Sequence, residues 1–135
     1  MKKFAVVLCG CGSLDGSEIH ESVMTLLAID KSGSSYTVFA PNDNQYQVIN
    51  HITKQPVNQT RNMMEEASRI SRGKIPQVIQ HVEAFGAIHR VTNETEVISD
   101  IENLVFTSPC YMLQASIKEI AESADQLIQV ILKHI

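Results

Sequence analysis

The chain has 135 residues and a mass of 15.0 kDa, the size of one domain and enough to bury a core without the disulfides or metals that smaller folds need. Hydrophobic residues make up 44% and charged residues 19%, with 6 Gly and 4 Pro, which excludes a collagen-like, mucin-like or largely disordered chain. The 11 Lys and Arg against 15 Asp and Glu give a net charge of −4, so the composition offers no broad cationic surface for nucleic acid or anionic lipid, and neither is expected as a partner.

Lys3-Phe4-Ala5-Val6-Val7-Leu8 is a continuous apolar, β-branched run bounded by Gly10, predicting a strand buried on both faces. It is far shorter than the roughly 18 residues of a membrane span. Met1-Lys2-Lys3 imitates the basic end of a secretory signal, but the apolar stretch after it is strand-sized and leads straight on into a helical pattern, so a cytoplasmic location is expected. From Ser17, Ile19, Val23, Leu26 and Leu27 follow helical spacing up to Gly33. Tyr36–Ala40 predicts a second strand, halted by Pro41-Asn42-Asp43-Asn44, and strand, helix, strand is a βαβ unit with parallel pairing.

Near-alternation over Gln47–Asn58 predicts a short hairpin. Asn62–Ile70 reads as a helix ended by Gly73, with Thr60 or Asn62 as cap, and Ile75–Phe85 as another ended by Gly86. Ala87–Val91, Glu96–Ile98 and Leu104–Thr107 are short extended segments. The last helix carries the stripe Leu113, Ile117, Ile120, Ala124, Leu127, Ile128 and Ile131, with Ser108 as its cap and Pro109 in its first turn. No repeat, linker or low-complexity segment divides the chain, so a single α/β domain over 1–135 is expected.

Gly10-Cys11-Gly12-Ser13-Leu14-Asp15-Gly16-Ser17-Glu18 precedes a helix, and its N–H groups can either cradle an anion or simply close a tight turn. The glycine spacing misses the dinucleotide fingerprint, and Asp15 and Glu18 oppose a phosphate. Glu18 sits at the carboxyl end of the first strand, where open α/β sheets place active sites, though a carboxylate there also complements a helix dipole. His20, two positions on, is predicted to point away from it. Three cysteines, an odd number, suggest free thiols. Cys9 and Cys11 share one side if extended, and with no Cys-x-x-Cys or histidine pair beside them no metal site is expected. Cys110, in the first turn of the last helix, is the best candidate for a reactive sulfur on physical grounds, with a buried inert thiol as the alternative. Arg61 can reach a carboxylate or a loop carbonyl, while Arg69, Arg72 and Lys74 read as a solvated helix end.

Phe4–Gly12, Asp15-Gly16-Ser17-Glu18-Ile19-His20-Glu21, Phe39-Ala40-Pro41, Val48-Ile49-Asn50-His51, Thr60-Arg61-Asn62 and Ala67–Gly73 together resemble the ElbB ("enhancing lycopene biosynthesis") family of the DJ-1/PfpI, class I glutamine-amidotransferase-like superfamily. The resemblance implies a flavodoxin-like three-layer sandwich with a mainly parallel sheet. It also implies a glyoxalase-type, cofactor-independent conversion of a small dicarbonyl to a hydroxy acid, linked to isoprenoid biosynthesis. Glu18 matches the family's acid, and Gly12, Asp15 and Gly16 fall in its substrate loop.

After Gly73-Lys74-Ile75 the family continues to an oxyanion loop and a nucleophile elbow containing Cys. Here Pro76-Gln77-Val78-Ile79 leads directly into a pattern resembling the family's late region, so an internal deletion is expected with its junction near 75–78. Cys110 falls where the family commonly has alanine and is a candidate substitute thiol only. The chain is therefore expected to be inactive towards glyoxal, because an acid without its nucleophile forms no covalent adduct. Two alternatives stand beside this: an enzyme that recruits Cys110 or Cys11 close to Glu18, and a non-catalytic interaction module that associates into a homo-oligomer because a shortened sheet exposes edges and apolar faces.

Overall fold

A computed structural model describes residues 2–75, 97–102, 105–107 and 115–135. Strand β1 (Lys3–Val7), helix α1 (Ile19–Lys31) and strand β2 (Ser35–Phe39) form the βαβ unit. The strands pair in parallel from Lys3 opposite Ser35 to Val7 opposite Phe39. β1 alternates between the two faces: Phe4 and Val6 turn into the core, while Ala5 is exposed and Val7 is 46% exposed. A continuous apolar run suggested burial on both faces, but only the face of Phe4 and Val6 packs against the described helices.

Each helix begins at a cap that its sequence supplies. Glu18, extended in backbone, accepts the Glu21 N–H and starts α1. Helix α2 (Met63–Ser71) is capped by Asn62, whose side chain accepts from the Met64 and Glu65 N–H groups, and it ends where Arg72 (φ 55°) and Gly73 (φ 79°) turn left-handed. Helix α3 (Ile117–His134) starts at a reciprocal capping box between Ser116 and Glu119. That box corrects the expectation of a start at Ser108: a Ser three residues before a Glu satisfies two orphan N–H groups, a stronger signal than Ser-Pro alone. Ser108 and Pro109 lie outside the described residues, as do the expected strand over 87–91 and nearly all of the expected helix over 75–85.

The short hairpin is present, with β3 (Ile49–Asn50) antiparallel to β4 (Gln55–Pro56), and a second one pairs β5 (Ile98–Asp100) with β6 (Val105–Thr107). Two apolar clusters hold the elements together. Leu26 of α1 and Ala67 of α2 bury against Leu8, Val38 and Ala40 at the carboxyl end of the parallel strands. Ala28 and Ile29 of α1 meet Ala124 and Ile128 of α3, small residues alternating with large ones so that the helices approach closely, and Lys31 Nζ lies 2.6 Å from Asp125 Oδ2 at the edge of that seam. Among the described residues, no helix is long and apolar enough to cross a membrane. Anchored on both sides through its second half, α1 runs back to the loop that joins it to β1.

Candidate functional site

That loop, residues 8–18, closes on itself through the backbone. The Gly12 N–H donates to Ser17 O (2.8 Å), the Gly16 N–H to Gly12 O (2.9 Å), and the Cys9 N–H to the Ser17 hydroxyl (2.8 Å). Gly16 leaves no room for a side chain: a Cβ there would lie 2.7 Å from the Cys11 nitrogen and 3.0 Å from the Cys9 oxygen. The N–H groups of Gly12 and Gly16 thus bond within the turn, which is the tight-turn alternative to an anion cradle. Gly10 (φ 89°) breaks the extended geometry that would have put both sulfurs on one side, leaving Cys9 exposed and Cys11 half-buried.

Asp15 is the loop's hinge to the β3–β4 hairpin. With 2% of its side chain exposed, it accepts the Ile49 N–H at 2.7 Å through Oδ2, and Gln45 Nε2 donates to its backbone oxygen. His51 completes the lock. Its Nδ1 faces Ile49 O at 3.0 Å and its Nε2 receives the Leu14 N–H at 3.3 Å, which fits the neutral tautomer protonated at Nδ1. Gln45 was not singled out from sequence and His51 entered only within the Val48–His51 motif, with no role, because each acts through a loop distant in the chain.

Glu18 is 12% exposed, and its two oxygens have separate partners. Oε2 takes the Glu21 N–H at 2.8 Å, and Oε1 lies 3.0 Å from Nδ1 of His20. The expectation that His20 points away is corrected. Glu18 is the cap rather than a helical residue, and its extended backbone lets the carboxylate fold back over the first turn. His20, 44% exposed, connects the carboxylate to solvent.

Glu66 of α2 was also missed. Its carboxylate, 12% exposed, is held by Arg69 Nε at 3.1 Å and Arg61 Nη1 at 3.8 Å. The i,i+3 spacing of Glu66 and Arg69 was a readable signal; Arg69 makes this pair while staying 69% exposed in the last turn of α2, in keeping with a solvated helix end. Burial pushes the Cys11 thiol up from its ordinary value, the Glu66, Asp15 and Glu18 carboxylates push it further, and Arg69 offsets part of this. Cys11 is therefore a protonated thiol at neutral pH. Cys110 lies outside the described residues. Among the described residues, no group of three or more His, Cys, Asp or Glu is arranged to hold a metal ion.

Over its full length the chain superposes on a crystal structure of an isoprenoid biosynthesis protein with an amidotransferase-like domain from Ehrlichia chaffeensis, with a TM-score of 0.86, 21% identity and 100% of both chains covered. The chain has an amidotransferase-like, flavodoxin-type α/β fold. No family model matches it. Over 71 residues it is 42% identical to "ES1 protein, mitochondrial" of Danio rerio, covering 52% of this chain and 26% of that protein. Over 74 residues it is 43% identical to the human "Glutamine amidotransferase-like class 1 domain-containing protein 3, mitochondrial", covering 54% of this chain and 28% of that protein. The matched part of the chain thus spans less than a third of the length of these relatives.

Their names overturn the expected cytoplasmic location, since these relatives are mitochondrial proteins. The physical flaw in that expectation is plain. A missing apolar core argues against a secretory signal only, whereas organellar presequences are amphipathic and Arg- and Ser-rich.

Proposed function

We propose that this chain is a glyoxalase-type relative of the ElbB proteins that retains the proton-transfer half of the site and does not itself turn over dicarbonyls. Glyoxalase chemistry on glyoxal adds water overall, giving glycolate. A thiolate attacks one aldehyde carbon, a carboxyl group moves protons, and N–H groups hold the oxyanion. Glu18, at the carboxyl end of β1 and linked to solvent through His20, suits the carboxyl role. The observation that carries the reading is Glu18 itself, a carboxylate 12% exposed with Oε1 3.0 Å from His20 Nδ1 at the start of α1. The expected break near 75–78, with loss of the family nucleophile, belongs to the same proposal, as does a place in isoprenoid biosynthesis, the process named for the Ehrlichia protein.

The test is aldehyde loss and glycolate formation with purified chain and glyoxal. No rate above buffer is expected. Turnover abolished by Cys110→Ser or Cys11→Ser would overturn the reading in favour of a recruited thiol.

A second reading, a non-catalytic module that associates with itself, is favoured by one feature. Ile19, Val23 and Leu27 of α1, spaced one turn apart, are 45%, 44% and 48% exposed and form an apolar stripe. A monomeric mass by light scattering at high concentration would count against it.

A further inference from the structure

Away from the glycine loop, a cavity of about 610 Å³ opens between the middle of β2 and the end of α2. Its volume is that of a small-molecule pocket. Leu26, Val38 and Ile70 supply apolar lining continuous with the first core cluster. Tyr36, Thr37 and Ser71 add hydroxyl groups, and Arg72 and Lys74 add two cations.

Among the described residues the charge of this lining is one-sided: Arg72 and Lys74 border the cavity and no described carboxylate does, although the chain as a whole carries −4. Among the described residues, Arg69 one turn earlier is engaged by Glu66, whereas no ion pair joins Arg72 or Lys74 to an acid. The last carbonyls of α2 do not neutralise them either: Ser68 O accepts the Gly73 N–H at 2.9 Å and Ser71 O the Lys74 N–H at 3.2 Å. The left-handed turn at Arg72 and Gly73 swings the chain round so that Arg72 and Lys74 both border the same cavity.

We propose that this cavity binds a small amphipathic anion, an apolar body resting on Leu26, Val38 and Ile70 with a single carboxylate or phosphate between Arg72 and Lys74. The site is separate from the glycine loop. Leu26 lies eight helical residues beyond Glu18, about 12 Å along α1, so the proposal does not depend on glyoxalase chemistry.

Titrating the isotope-labelled full chain with octyl phosphate, octanoate, octanol and inorganic phosphate tests it by amide chemical shifts. Octyl phosphate and octanoate are expected to shift residues 36–38 and 70–74 saturably, the tighter of the two identifying the headgroup, with octanol much weaker. Arg72→Gln and Lys74→Glu, both at exposed positions that leave the core intact, are each expected to weaken octyl phosphate about tenfold. Inorganic phosphate matching octyl phosphate in affinity and pattern would reduce the site to surface cations and overturn the proposal. Unchanged affinity in both variants, or shifts confined to other residues, would overturn it as well.

Discussion

The carboxylate of Asp15 accepts the backbone N–H of Ile49 at 2.7 Å from a position where only 2% of the side chain meets solvent. This bond spans 34 residues and fastens the glycine loop to the hairpin. Asp15→Ala removes the acceptor and leaves a part-buried N–H without its partner, with an expected loss of about 1–2 kcal/mol. Asp15→Asn keeps an acceptor oxygen and should lose less. Urea unfolding of both variants measures the difference, and equal losses would show that the bond contributes little.

Gly16 tolerates no side chain because the atoms that a Cβ would meet are backbone. Gly16→Ala should cost about 1–3 kcal/mol. It should also disturb the Cys11 and Glu18 amide resonances, whereas Gly33→Ala, with nothing near its Cβ, should leave them in place and act only through its left-handed backbone.

The two described thiols should separate by reactivity. Exposed Cys9 is expected to alkylate readily at neutral pH, while Cys11 should respond only above the ordinary thiol range, as followed by mass spectrometry across pH. Glu66→Gln removes the strongest of the carboxylates that hold the Cys11 proton and should move its reactivity to lower pH. The raised thiol also binds its proton more tightly folded than unfolded. Its contribution to stability is therefore complete below the ordinary thiol range and is lost as pH rises through the folded value.

The capping box of α3 should weaken in acid. Hydrogen bonds with Ser116 hold the Glu119 carboxyl below the usual carboxylate range. The stability it brings is present above that range and is lost as pH falls through the lowered value. Helicity followed by circular dichroism should show a small acid-side loss that Ser116→Ala removes.

At the seam of α1 and α3, Ile29 and Ile128 are 1% and 2% exposed. Ile128→Ala should cost about 2–5 kcal/mol, the range for truncating a fully buried aliphatic residue, measured by denaturant midpoint. A loss under 1 kcal/mol would mean that α3 docks loosely.

Local order was legible because local sequence causes it. The strand run over Phe4–Leu8, the helical spacing from Ile19, the Asn62 cap, the Gly73 stop and the alternation around Ile49 all describe interactions between residues a few positions apart, and each has its element in the structure. The start of α3 was misplaced because Ser108-Pro109 and Ser116-x-x-Glu119 both resemble a helix start, and the reciprocal bonds of the second decide. Of the candidate site, Glu18 was found from its place after the first strand, but its bond to His20 was not, since helical spacing describes residues inside a helix and Glu18 stands just outside.

The amino-acid order alone determined the βαβ unit, the glycine-rich turn, the acid at its end and the amphipathic last helix, because periodicity and capping are properties of neighbours. Only the tertiary structure decided that the Asp15 side chain is buried and spent on Ile49, that Glu66 is shared between Arg61 and Arg69, and that burial, with the charges of nearby carboxylates, pushes the Cys11 thiol up. Burial and electrostatic fields sum over residues distant in sequence, and no local pattern records them.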